Sequence, residues 1–221
     1  MKTLIVPVSG GKDSQVVLSL ALKTGRPLVC VHQNTGFDHD DTYAQLKAME
    51  EFYGVTIEHT VSKYDGMFGL LETAKYFPNS AARGCTQELK QKPFAEWLTA
   101  RGFNKDNSEI WFGMRSDESI ARSNKYGGLE DEDEFTLSEI ATFYSKSKKL
   151  REGIGAIPVR LPIVTWVTDD VFKYIAEEKA PLNPLYSRGH SRVGCYPCLL
   201  SRKGEWKVAA QDPIGRKHMT D

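Results

Sequence analysis

An open, mainly parallel α/β sheet with helices on both faces is the fold this sequence predicts, from three observations. Short apolar runs alternate with helical periodicity over roughly the first 60 residues, the first strand-to-helix junction is glycine-rich, and regularity fades past Pro181. Consecutive strand–helix–strand units imply parallel strands joined by right-handed crossovers. The chain of 221 residues, 40% hydrophobic and 26% charged, suffices for one such α/β domain over 1–180. A less regular C-terminal lobe over 181–221 would pack on it.

The elements follow in order. Leu4 to Val8 reads as a buried strand, and the apolar residues from Val16 to Leu22 as a helix ending near Gly25. Pro27 to His32 is a second strand. Asp40 or Asp41 caps a helix to about Tyr53, with Tyr43, Leu46, Met49 and Phe52 on one face; Gly54 stops it, and Val55 to Val61 is the third strand. A helix carrying Phe94, Trp97 and Leu98 precedes a fourth strand, Ile110 to Met114. Residues 124–155 read as a charged insertion with one helix near Ser138 to Tyr144. Val159 to Val164 is a further strand, which Pro162 makes an edge or a strand end. Thr168 or Asp169 caps a last helix, from Val171 to about Glu178.

Composition narrows the class. No apolar run approaches the roughly 18 residues of a membrane span, and the short apolar start is too brief for a signal peptide, so a cytoplasmic protein without membrane contact is expected. Four scattered cysteines do not make a disulfide scaffold. Net charge is zero, which argues against a broad nonspecific nucleic-acid surface. The acidic run Glu130 to Glu134 reads as solvated surface. Between Tyr186 and His218, by contrast, seven Lys or Arg face only two acids, around Cys195 and Cys198.

Ser9-Gly10-Gly11-Lys12-Asp13-Ser14 joins the first strand to the first helix, a geometry suited to phosphate. Glycines admit an anion close to the backbone, and the first helical N–H groups and the helix dipole favour it. Lys12 adds a charge, Ser9 and Ser14 add hydroxyls, and Asp13 would help hold Mg²⁺ or cap the turn. The Walker spacing is absent. Arg115 and Arg122 follow a strand end, where open α/β sheets bind ligands, and suit a phosphate or sulfate; for Arg122 a helical pairing with Glu118 is the competing reading. Cys195 and Cys198 can reach one metal ion, or form a redox pair, while Cys30 reads as a core residue.

The loop resembles the pyrophosphate-binding (PP) loop of the adenine-nucleotide α-hydrolase superfamily, which implies a Rossmann-like fold. Other segments are similar to the phosphoadenosine-phosphosulfate (PAPS) reductase family: Asn34-Thr35-Gly36-Phe37, Arg83-Gly84-Cys85-Thr86 with Leu89-Lys90, Gly113-Met114-Arg115 with Glu118-Ser119 and Arg122, Asn183-Pro184-Leu185-Tyr186, and Gly194-Cys195-Tyr196-Pro197-Cys198. They stand in family order from residue 4 to about 206.

The resemblance implies an adenine nucleotide (ATP, PAPS or adenylyl sulfate) held by Ser9, Gly10, Gly11, Lys12, Asp13, Ser14, Thr35, Gly36, Gly113, Arg115 and Arg122, with Lys12, Asp13 and Arg115 catalytic. It also implies a metal centre on Cys85, Cys195 and Cys198: a 4Fe-4S cluster, or a zinc completed by a histidine such as His190, unless the metal has been lost altogether. The sequence departs from the reductases in carrying one cysteine at the central segment and none after Cys198. It is therefore closer in motifs to the sulfur-transfer branch, which includes a DNA-phosphorothioation subunit. The implied activity is adenylylation by ATP with pyrophosphate release, coupled to sulfur transfer from a sulfur donor onto an acceptor such as a nucleic acid. A sulfonucleotide reductase using a borrowed thiol and a thioredoxin-like partner is the second implied reading. A noncatalytic nucleotide-binding module of a DNA-modification or defence assembly is the third, and a homodimer is compatible with each.

Overall fold

Six strands form one sheet in the order β3-β2-β1-β4-β6-β5. A computed structural model describes residues 1–75, 78 and 83–220. β1 (Thr3–Pro7), β2 (Leu28–Gln33), β3 (Ile57–Thr60), β4 (Ser108–Trp111) and β6 (Pro158–Arg160) run parallel, and β5 (Glu134–Thr136) pairs antiparallel with β6. The chain builds outward from β1 through β2 to β3, then returns to place β4 on the other side of β1. That reversal opens a crevice beyond the carboxyl ends of β1 and β4, the position where such sheets take ligands.

Alternation along β1 creates two cores. Leu4, Val6 and Val8 enter one with residues of α1 (Lys12–Lys23), α2 (Asp40–Tyr53) and α9 (Thr168–Glu177). Ile5 points the other way, toward residues of α5 (Lys92–Ala100), α6 (Ile120–Tyr126) and α7 (Leu137–Ile140). A β1 residue thus changes face at every step, as the pleat requires, and helices cover both faces. Full burial of Leu18 or Phe94 contributes about 1.5–3 kcal/mol each, so the sheet is held from both sides.

Several local expectations are corrected. His39, not Asp40 or Asp41, caps α2: its Nδ1 accepts from the Asp41 N–H at 2.9 Å. Gly54 does end α2, in the left-handed region at φ +66°. Phe52 lies 45% exposed instead of joining Leu46 and Met49 in the core. The strand near Pro162 stops at Arg160 and lies inside the sheet, and the edge is β5, formed where the acidic run ends. Glu134 there pairs with Arg160, and Asp131 accepts from the backbone N–H and hydroxyl of Thr165, so the run is partly structural. The insertion also holds α8 (Lys148–Glu152) besides α7. Past Pro181 the chain is irregular only to Arg202, after which α10 (Lys203–Gln211) and α11 (Pro213–Thr220) follow. No described helix is long and apolar enough to cross a membrane.

The irregular stretch folds back over the crevice. Asp38 and Cys195 form an isolated antiparallel bridge, the Tyr196 N–H donates to the Phe37 carbonyl at 2.6 Å, and the Asn183 amide donates to the Gly10 carbonyl at 3.1 Å.

Candidate functional site

The loop is built around two serines. Ser14 Oγ donates to the Gly11 carbonyl at 3.0 Å and accepts from the Ser9 N–H at 3.1 Å, drawing the strand end onto the first turn of α1. Two glycines are required by space. Gly10 sits at φ +71° with Thr42 Cγ2 2.8 Å from where a Cβ would be, and a Cβ on Gly113 would meet the Asp13 backbone at 2.7 Å. The end of β4 is thereby pressed against the loop. Gly11 is the N-cap of α1 and offers no side chain, leaving the first N–H groups to other partners. One is already taken: the Lys12 N–H donates to Tyr186 Oη at 2.9 Å.

Charges at the loop are paired in a chain. Arg115, only 1% exposed, donates from Nε to Asp13 Oδ1 at 2.6 Å, and Lys12 Nζ lies 3.2 Å from Asp13 Oδ2. Arg115 also reaches Asp117, the Trp166 carbonyl and Thr168 Oγ1, each at 3.2 Å. Both Asp13 oxygens are thus engaged by cations, so this carboxylate does not fit a Mg²⁺ ligand. Lys12 is buried beside the Phe172 and Tyr186 rings, and burial, only partly opposed by Asp13, lowers its pKa. Arg122 pairs with Glu118, and burial followed by the nearby Arg192 charge lowers its pKa.

Two cavities flank the loop. One of about 350 Å³ opens at the β1–β4 crevice, among Ser9, Ser14, His32, Gly113, Arg122 and Lys90. The other, of about 590 Å³, lies on the Lys12 side against Thr168, Phe172, Tyr186, Arg192 and Arg202. Arg192 and Arg202 are exposed and join no ion pair among the described residues, whereas Arg188 pairs with Asp41 at 2.7 Å. The two basic residues of α10, Lys203 and Lys207, are exposed on it four positions apart.

The cysteines gather below the first cavity. Cys85, in the short helix α4 (Gly84–Thr86), lines with Cys195 and Cys198 a space of about 60 Å³ that also touches Thr35 and Lys90. Cys195 Sγ lies 3.5 Å from Thr35 Oγ1, which itself donates to Asp38 at 2.8 Å. Burial raises the Cys195 pKa against the pull of Lys90, and Lys90 is raised in turn, chiefly by Cys195. Three thiols around one space are a donor set for an iron–sulfur cluster or zinc. Among the described residues, however, no three His, Cys, Asp or Glu side chains converge closely enough to hold an ion. His190, the expected zinc partner, sits 3.3 Å from the Tyr196 hydroxyl. Cys30 is in the core, its thiol pushed up to about 12 by burial.

The structure therefore brings Ser9, Gly10, Gly11, Lys12, Asp13, Ser14, Gly113 and Arg115 together, and adds Arg122 at the cavity wall. Thr35 and Gly36 stand apart, in the turn beside the cysteines. Sequence reasoning names Lys90 and Tyr186 within family-like segments and His32 as a strand end, but assigns none of the three a site role. Lys90 lies five residues after Cys85, in a π-helical turn (Gln87–Gln91), a feature common at functional sites that only the structure reveals.

Residues 3–201 match the family model described as the phosphoadenosine phosphosulfate reductase domain. An uncharacterized protein of Methanocaldococcus jannaschii is 28% identical over 92% of the chain, which spans only 38% of that protein's length. An adenosine 5'-phosphosulfate reductase of Burkholderia cepacia is 26% identical over 90% of the chain and 74% of its own length. The fold is shared with phosphoadenylyl-sulfate reductase of Candida auris (TM-score 0.62, 16% identity, covering 90% of this chain and 83% of that one). It is shared too with FMN adenylyltransferase of Candida glabrata (TM-score 0.54, 13% identity, 89% and 55%). With the model spanning both the glycine loop and the cysteine pair, this chain belongs to the phosphoadenosine phosphosulfate reductase domain family.

Proposed function

We propose that the chain cleaves ATP between its α- and β-phosphates and uses the activated position to install sulfur on an acceptor. One observation carries the reading: Thr86 and Lys90 line both the cavity at the glycine loop and the space shared by Cys85, Cys195 and Cys198. Nucleotide chemistry and sulfur chemistry would thus be neighbours.

In this reading an acceptor oxygen attacks the α-phosphorus, the bond to the bridging oxygen breaks, and pyrophosphate leaves with the electron pair. A sulfide-level donor then displaces AMP, so no net oxidation occurs. The loop N–H groups, Ser9 and Ser14 bind the departing phosphates, Lys12 moves from Asp13 to the new anion, and Arg115 holds Asp13 in place. Arg122 faces the cavity and balances charge there. Cys85, Cys195 and Cys198 line one space without converging on a single ion; they are the residues that would hold an iron–sulfur cluster, or zinc, and a cluster would supply sulfide-level sulfur beside the nucleotide. The second cavity, with Arg192 and Arg202, suits the phosphodiester of a nucleic-acid acceptor.

The test is product identity. Incubation with ATP, sulfide and nucleic acid should yield AMP and pyrophosphate; ADP as the nucleotide product would refute the reading. Similarity to an adenosine 5'-phosphosulfate reductase over 214 residues favours a second reading, sulfonucleotide reduction. Sulfite release from adenylyl sulfate or PAPS, with thioredoxin supplied, would select it.

A further inference from the structure

His32, the last residue but one of β2, lies inside the fold, 3% exposed, in the wall of the 350 Å³ cavity. Its Nδ1 lies 2.8 Å from the Val8 carbonyl, which can only accept, so Nδ1 carries the proton. Nε2 is then a bare lone pair, and it has no hydrogen-bond partner. The closest acidic group, Asp38 Oδ2, is 3.9 Å away and already accepts from Thr35. Burial lowers the His32 pKa, which keeps the ring neutral near pH 7.

A buried acceptor left without a donor is costly, and such groups usually face a ligand or water. Here the position of the atom restricts the ligand. Val8, which holds the opposite ring nitrogen, immediately precedes Ser9, the first residue of the phosphate loop, so the imidazole stands beside the place where phosphates would bind. In an adenine nucleotide the group next to the α-phosphate is the ribose, and its hydroxyls are donors. The remaining donor, the 6-amino group, is at the far end of the base. We infer that His32 Nε2 accepts a hydrogen bond from a ribose hydroxyl of the bound nucleotide, making His32 a specificity-determining residue. The inference rests on nucleotide binding in this cavity, but not on which reaction follows.

Equilibrium binding by calorimetry separates the possibilities. The wild-type protein should bind ATP about tenfold more tightly than whichever of 2'-deoxy- or 3'-deoxy-ATP lacks the contacting hydroxyl. His32→Asn retains a donor at the Nδ1 position for Val8 and removes only the distant acceptor. It should lose about tenfold for ATP and show no further loss with that deoxy analogue. Inosine triphosphate, lacking the 6-amino group, should be weakened by His32→Asn as much as ATP is. In wild-type protein with ¹⁵N-labelled histidine, the His32 Nε2 resonance should shift with ATP and not with the deoxy analogue, a readout that needs no variant. Equal wild-type affinity for all three adenine nucleotides would overturn the inference, as would a His32→Asn effect that disappears with inosine triphosphate. Absence of ATP binding altogether would instead overturn the nucleotide reading itself.

Discussion

Arg115 Nε meets Asp13 Oδ1 at 2.6 Å, with the guanidinium 1% exposed. A residue from the end of β4 is thereby locked to the first turn of α1, across the switch point of the sheet. The same carboxylate faces Lys12 on its other oxygen, at 3.2 Å. Asp13 is thus the hinge of the charge arrangement, and through it Arg115 is tied to Lys12.

Removing Arg115 should therefore first cost stability. Arg115→Ala leaves Asp13 without its buried partner, while the half-exposed Asp117 keeps Thr168, and breaking a buried pair typically costs about 3–5 kcal/mol. Lys12 remains beside Asp13, so the lower end, about 3 kcal/mol, is expected in urea denaturation. An unchanged midpoint would show that the pair carries no structural role.

Lys12→Ala should have the opposite profile. Asp13 keeps Arg115, so unfolding should change little, while pyrophosphate release from ATP falls by about 10²–10³-fold, the usual cost of losing one electrostatic stabiliser. Quenched assays of AMP and pyrophosphate at saturating ATP would measure it.

Cys195→Ser should uncouple the two halves. The serine keeps the contact to Thr35 but is a poor ligand for iron or zinc, so sulfur incorporation into the acceptor should vanish while pyrophosphate still forms and AMP stays on the acceptor. Loss of both together would mean that the cysteine site also shapes nucleotide binding.

Acid sensitivity should trace to Glu109. Burial pushes this carboxyl up, but Trp111 Nε1–H at 2.6 Å and Arg26 at 2.9 Å, with the Arg160 charge, outweigh it and leave the pKa below its ordinary 4.5. With the folded pKa depressed, the unfolded chain binds the proton first as pH falls. The contribution is complete above about pH 4.5 and is lost as pH drops through the folded value. Glu109→Gln should lower stability at neutral pH and flatten the acid limb of a stability-against-pH curve.

The parallel sheet and the loop were legible because their signals are local. Apolar runs of strand length, and glycines at one junction, need no tertiary knowledge. The C-terminal helices were not, since α10 and α11 follow a stretch rich in Pro, Gly and Arg and contribute Ala209 and Gly215 as their fully buried apolar positions. The role of Arg115 was hidden for a related reason. An arginine after a strand reads equally as a ligand contact or as a partner for an acid 102 positions away, and only the fold brings Asp13 to it. His32 left no signal either, because a histidine at a strand end is ordinary until its neighbours are known. His39 displaced Asp40 and Asp41 as the cap of α2 because its ring reaches the Asp41 N–H, while Arg188 draws the Asp41 carboxylate toward the C-terminal lobe.

Isotope exchange between labelled pyrophosphate and ATP tests the central claim most directly, since it reports reversible cleavage at the α-phosphate before any sulfur chemistry. Label should enter ATP when acceptor is present and sulfide absent, and Lys12→Ala should slow the exchange by about the same 10²–10³-fold. No exchange under any acceptor, with ADP accumulating instead, would contradict the account.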